Sequence, residues 1–495
     1  MKKLLPVGFL ICAFFLAGSC GARLFAQTRL SPEAVFLQGN NEEVKMYLAK
    51  GLMDPNMKIR GETLLGISCH GEQELAKFLL GMKGIRVNDW SVHHDVEANT
   101  TYTALMAAVQ YPEIVKRLID KGALVDMRET TSSPNKNQQS RQTALMKAAI
   151  GGYSGSVKLL IDKGANLNLQ DALGQTALMH AVGNVYGVNY ETKTEDTTCV
   201  KLLIDKGANL NIQDPIGMTA LYQAASCGLS ETAKLLINKG AKFDMPDGSN
   251  AVYWAIMNIN MEPARKTEMV RLFLDKGAKV DVSDKSGNTH LMSAASLAYT
   301  DIVKLLLDRG ANINRQNNAG WTCLMQAAGD RYRENNNRVL ATMILLLDKG
   351  AGINILDNEG NMALKWALSN PERVELLLSK GAKLDVQNKM GETPLMLAAE
   401  SGYAEVAEAL LKKGANPDLQ DLTGKTALMV AAGATQASSA DYSAYTKIMK
   451  LLLDKGAKPE IKDKGGNTAL YYAQRYDRKN SVDLLVAKDA NTAED

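Results

Sequence analysis

Histidine is scarce in this chain, with five among 495 residues: His70, His93, His94, His180 and His290. No glycine-rich phosphate loop runs into Lys-Ser or Lys-Thr, and Gly-x-Ser-x-Gly is missing too. The motifs of nucleotide hydrolysis and of a strained serine nucleophile are therefore both lacking. His93-His94-Asp95 is the one local pattern with the look of metal ligands. Adjacent histidines share no helix face, however, and no third ligand is signalled. The expectation is a protein with no catalytic residues, no metal and no cofactor, and thus not an enzyme. No stretch rich in Pro, Gly or Ser divides the chain into separate domains.

What fills the sequence is repetition. Asp-Lys-Gly-Ala begins at Asp120, Asp162, Asp205, Asp275, Asp348 and Asp454, with near-copies at Asn238, Asp308, Ser379, Lys412 and Ala487. Thr-Ala-Leu begins at Thr103, Thr143, Thr176, Thr219, Thr426 and Thr468. The commonest step between such marks is about 33 residues, a period that signals a stacked array. Each part of the unit has a physical task. Thr176 caps a first helix whose Leu178, Met179 and Ala181 form an apolar side. Val157 to Leu160 belongs to a second helix with its lysine in water. Gly164 ends that helix through positive φ, and Asn168 to Gly174 supplies hairpin turn chemistry. One unit cannot bury its own apolar face, so neighbours must stack.

Thr393-Pro394-Leu395-Met396-Leu397-Ala398-Ala399 resembles the Thr-Pro-Leu-His-x-Ala-Ala motif of the ankyrin-repeat family. The resemblance runs from about Ser31 to Ala490. It implies an α-dominated repeat solenoid, an array of helix-turn-helix units joined by β-hairpin loops. The expected division is residues 1–26 as a signal peptide, 27–62 as an N-terminal half-cap, 63–462 as ankyrin repeats and 463–495 as a capping repeat. Ser31 should cap the first helix with Pro32 in its first turn. Arg475, Asp477, Arg478 and Lys479 should face outward at the far end. The family's histidine is methionine at Met106, Met146, Met179, Met292, Met325, Met396 and Met429. The family histidine ties turns by hydrogen bonds, whereas methionine is expected only to pack. Cys69, Cys199, Cys227 and Cys323 read as small buried or half-buried thiols rather than as disulfides.

At the N-terminus Lys2 and Lys3 precede an apolar stretch from Leu4 to Ala17, the pattern of a secretory signal peptide. Cleavage after Ala26 is the preferred reading; lipidation of Cys20 within Ala17-Gly18-Ser19-Cys20 is the second. Losing Lys2, Lys3 and Arg23 would remove the whole net charge of +3. A neutral array carries no electrostatic footprint for nucleic acid. The expectation is a monomeric bacterial protein, exported to the periplasm or envelope, without a membrane span, that binds protein partners. A secreted effector acting on host proteins is the alternative, and a metal-dependent or catalytic envelope protein ranks third.

Departures from the period mark candidate binding elements. Four insertions fall between the two helices of a repeat, near Gly183–Thr197, Met257–Thr267, Gly329–Arg338 and Gly433–Tyr445. They hold Tyr186, Tyr190, Tyr332, Tyr442 and Tyr445. Two more, near Ile85–Asn99 and Met127–Arg141, lengthen hairpins. Loops on a rigid scaffold often carry recognition. The resemblance further implies that the residue after the first-helix methionine faces a concave groove. That column includes His180, Gln223, Trp254, Gln326 and Trp366, with Trp321 at a nearby hairpin tip. Large aromatics there are candidate anchors. Mass spectrometry of the native N-terminus should find Gln27, or a lipid-bearing Cys20. An intact Met1 on cytoplasmic protein would contradict both.

Overall fold

The computed structural model describes residues 31–38, 40–94, 99–132, 140–188, 195–244, 250–258, 261–329, 336–434 and 442–492. Two compact units divide at Asn166 and Leu167. The first holds four helix pairs, from Pro32–Gln38 with Asn41–Ala49 to Ala144–Ile150 with Ser154–Asp162. Its lengthened hairpins form a three-stranded antiparallel sheet of Ser91–His94, Asn99–Tyr102 and Thr130–Ser132, in the register Val92↔Thr101 and Thr101↔Thr130. The second unit continues with helix pairs from Ala177–Val188 to Lys479–Thr492. As expected, Ser31 Oγ accepts from Ala34 N–H at 3.2 Å, and Pro32 opens the first helix.

Short first helices form because threonine caps them. Oγ1 of Thr143, Thr289, Thr322 and Thr393 each accepts the backbone N–H three residues on, at 3.2–3.3 Å. Such a cap contributes about 1 kcal/mol. Behind it the apolar side closes, with Leu395, Met396, Ala398 and Ala399 all buried. Methionine does more than pack. The backbone N–H groups of Thr143 and Thr393 donate to the Sδ of Met146 and Met396 at 3.4 Å. The thioether is a weak acceptor, so it retains part of the histidine's role in tying the turn.

Stacking is enforced by a ladder from hairpin to hairpin. In the second unit the N–H groups of Asn209, Lys242, Gly352 and Lys383 donate to side-chain Oδ1 of Asn168, Asn211, Asn314 and Asn354 at 2.7–2.9 Å. Aspartates do the same elsewhere: Asp385 accepts from Asn416, and Asp418 from Lys458. The first unit shows the same device, with Asn56 accepting from Arg86 and Asn88 from Leu124. Hairpin tips also bond through their backbones, as where Leu422 N–H donates to Met390 O at 3.0 Å. Gly391 turns that tip at φ +78°, and a Cβ there would lie 2.6 Å from Leu422 N. Only glycine satisfies both demands. The recurring Asp-Lys pair bridges successive repeats as well, with Lys239 to Asp205 at 2.8 Å and Lys380 to Asp348 at 2.7 Å. These bridges are exposed and contribute a few tenths of a kcal/mol each.

The inter-helix insertions are fastened at their bases to the following repeat. Glu195 accepts from the N–H groups of Glu231 and Thr232 and from the Thr232 hydroxyl. Arg373, only 1% exposed, donates to the carbonyls of Ala328 and Gly329 and to Asn336 Oδ1. Arg478 donates to Ala434 O and lies 3.2 Å from the Tyr442 ring centroid. It therefore turns inward, contrary to the expectation of an outward-facing cap. Arg475, Asp477 and Lys479 are exposed as expected.

Lys266 serves the remaining insertion. It is 1% exposed, donates to Tyr299 Oη at 2.5 Å and sits 4.1 Å from that ring centroid. Burial lowers its ammonium from 10.5 to about 8. The folded state thus holds fewer protons than the unfolded one between about pH 8 and 10.5. Stability must rise with pH across that window, and the burial penalty is fully present below it. Relative to Lys266→Met, the native protein should gain up to about 3 kcal/mol between pH 8 and 10.5. Denaturant melts at both pH values check this; a flat difference contradicts it.

Candidate functional site

Among the described residues, eight hairpins of the second unit begin with an Asp or Asn whose Oδ1 accepts two backbone N–H groups. Asp171 Oδ1 takes those of Leu173 and Gln175 at 2.9 Å, and Asp463 Oδ1 those of Gly465 and Asn467 at 2.8 Å. In Asp171 and Asp463 the second oxygen reaches the first helix nine residues later, where the candidate column lies. His180 Nε2 meets Asp171 Oδ2 at 2.9 Å, and Tyr472 Oη donates to Asp463 Oδ2 at 2.5 Å. Burial works to raise the Asp171 carboxyl, but the His180 bond and the hairpin N–H groups outweigh it and hold it below its ordinary value. The Tyr472 hydroxyl, followed by burial working in the opposite direction, brings Asp463 down to about 2. Burial and the adjacent Asp463 push Tyr472 up to about 12. His180 and Tyr472, two members of the column, are thus held from behind by the acids that shape their hairpins.

The tryptophans occupy the expected elements. Trp254 lies in the first helix Ala251–Met257 and Trp366 in Ala363–Ala367, while Trp321 ends a hairpin. All three are half-buried. Trp254 packs edge-on against Tyr253, with ring centroids 5.9 Å apart. It borders a cleft of about 280 Å³ that also includes Asp284 and Asn288. Trp321 and Trp366 come together at 4.1 Å between centroids, tilted by 50°. The Lys365 ammonium lies 4.8 Å from the Trp366 ring, and Trp366 Nε1 is enclosed without a hydrogen-bond partner among the described residues. Gln223 is half-buried, and its Oε1 likewise has no partner.

Other candidates are placed differently. Gln326 is 7% exposed, so it lies inside the stack rather than between the aromatics as a polar contact. Tyr445 is equally buried, and its hydroxyl donates to Glu400 O at 3.3 Å. Tyr442 is covered by Arg478. Tyr442 and Tyr445 pack because the insertion base folds back on its neighbours. Tyr190 and Tyr332 lie outside the described residues, as do Cys20 and the side chain of Tyr186. The cysteines are free thiols, buried at Cys69, Cys199 and Cys323 and half-buried at Cys227. Burial pushes Cys69 and Cys323 up to about 12, far from the thiolate that reactivity needs.

His93 Nδ1 pairs with Glu62 Oε1 at 3.2 Å and His94 Nδ1 with Asn99 Oδ1 at 2.8 Å; Asp95 lies outside the described residues. Among the described residues, no group of three His, Cys, Asp or Glu side chains could hold a metal ion. No helix among them is long and apolar enough to cross a membrane. The hairpin tips are expected binding elements from the sequence, but their apolar residues Leu173, Ile216, Met390 and Leu422, 58–70% exposed, were not singled out. An apolar residue one or two places before the turn glycine was the available signal.

A family model described as ankyrin repeats, three copies to a block, matches residues 32–129, 105–192, 188–284, 261–340, 324–421, 369–442 and 415–494. The matched stretches therefore extend over both compact units.

The Trp321–Trp366 contact can be measured directly. A double-mutant cycle of Trp321→Ala and Trp366→Ala on unfolding free energy should show a coupling of about 1 kcal/mol. Strict additivity would mean that the rings do not meet in solution.

Proposed function

Because the chain belongs to the ankyrin-repeat family, we propose that it is a non-catalytic scaffold, exported from the bacterial cytoplasm. It holds a protein partner along the side formed by its first helices and hairpins. The observation that carries the binding reading is the Trp321–Trp366 pair, half-buried on that side with Lys365 beside it. Two large rings held by the scaffold lose little entropy when a partner covers them, which is why such residues dominate interfaces. Trp254 and the exposed tips of Leu173, Ile216, Met390 and Leu422 extend the same side with apolar contact area. Export rests on Lys2, Lys3 and the apolar run that follows them. Residues 63–462 are the repeats of this scaffold, with the binding contacts placed in the second unit, and residues 27–62 and 463–495 are its capping ends.

Crosslinking in intact cells followed by capture of the full chain identifies the partner. Trp366→Ala should then weaken its binding by on the order of 2 kcal/mol, while Trp90→Phe in the first unit leaves it unchanged. A sharp fall in melting temperature with undiminished affinity of the folded protein would make Trp366 a packing residue and remove the groove reading.

A further inference from the structure

Further along the same side of the second unit, the first helices Pro394–Glu400, Ala427–Ala432 and Ala469–Arg475 surround a cavity of about 260 Å³. Tyr472 and Tyr476 form its aromatic wall, Met396 and Met429 its apolar lining, and Glu400 and Asp421 bring carboxylates. Glu392 adds a third, already engaged by Asn388 Nδ2 at 2.9 Å. Among the described residues that line the cavity Lys425 is the one cation, so carboxylates outnumber ammonium groups three to one. The Tyr472 ring is fixed by its hydroxyl bond to Asp463, and the Lys425 ammonium rests 5.0 Å from its centroid. That contact shows the ring face receiving a positive charge.

The acceptors are not used up by the fold. Asp421 Oδ1 accepts from the N–H groups of Thr423 and Lys425 and from the Thr423 hydroxyl. No bond from a described residue reaches Asp421 Oδ2 or the Glu400 carboxylate. A cavity with an aromatic wall, an apolar lining and surplus carboxylate oxygens complements a cation with a flat face and several donors.

We propose that this cavity takes an arginine side chain from an extended segment of the protein partner, an inference that rests on the groove reading above. A guanidinium can stack on Tyr472 while its forked N–H groups meet a carboxylate, a combination that lysine's point charge does not match. The same carboxylates repel phosphate, which disfavours nucleic acid and anionic lipid. Two repeats separate the Trp366 column from that of Val430, on the order of 16–20 Å for packed helices. Extended chain covers this in about five or six residues. The segment should therefore carry an apolar residue for the tryptophan pair and an arginine about five or six positions away.

The test uses the full chain with methyl-labelled methionine, the signals of Met396 and Met429 being assigned from Met→Leu variants. Two Ser/Gly peptides of about twelve residues serve as probes, each with one leucine and, six positions on, either arginine or its neutral isostere citrulline. The arginine peptide should shift both methyl signals saturably, with the citrulline peptide about tenfold weaker. A lysine peptide should fall between them. The double variant Glu400→Gln, Asp421→Asn should lose the preference for arginine. The Asp421→Asn change leaves the hairpin tie in place, because Asn317 and Asn388 make the same bonds elsewhere in the stack. Equal response to arginine and citrulline, or no shift up to millimolar peptide, overturns the proposal. Capture of the natural partner separates the two readings. If Trp366→Ala weakens it and the carboxylate variant does not, the groove stands and the arginine cavity falls. If neither variant matters, both fall.

Discussion

Everything in this chain depends on the fact that a single repeat cannot bury its own apolar side. A pair of short helices ended by glycine buries too little surface alone to offset the entropy of ordering it. The neighbour must be set in register, and the hairpins do this. A backbone N–H of one repeat donates to an Asn or Asp oxygen of the repeat before it, as Asn209 does to Asn168 and Asn416 to Asp385. Each bond contributes only about 1 kcal/mol net. Its greater effect is directional, because it fixes where the next first helix begins and thereby which side chains share a side with the hairpins.

That constraint explains why the insertions fall between the helices and not in the hairpins of the second unit. An insertion between the helices leaves the hairpin ladder untouched, so length can be added there at small entropic cost. The protein nevertheless anchors each insertion with a buried or partly buried polar group, Glu195, Lys266, Arg373 or Arg478. The hairpins place their acids nine residues ahead of the column, and His180 and Tyr472 are held by them.

Much of this was legible in the sequence. The Thr-x-Leu and Asp-Lys-Gly marks gave the helix pairs, the caps and the left-handed glycines, because each obeys a local rule. The ladder was harder to see. Its acceptors alternate between Asn and Asp, and nothing in one repeat announces that Asn354 bonds with Lys383 in the next. The site divided along the same line. Trp254, Trp321 and Trp366 fell on the expected elements because position within a repeat determines facing. Gln326 and Tyr445 proved buried because their surroundings come from neighbouring repeats, which local spacing does not encode. The meeting of Trp321 and Trp366 has the same origin: a hairpin residue touches the first helix of the following repeat, a contact that pairs unlike positions.

The central claim is that hairpin ties between neighbours set the register of the stack locally. Hydrogen exchange on Asp385→Ala tests it most directly, since this change removes the acceptor of Asn416 N–H and no core side chain. Faster exchange should be confined to the hairpins around residues 383–393 and 416–426, with helices beyond the adjacent repeats unchanged. Unaltered exchange at Asn416, or uniform loss of protection throughout residues 167–492, would contradict the account.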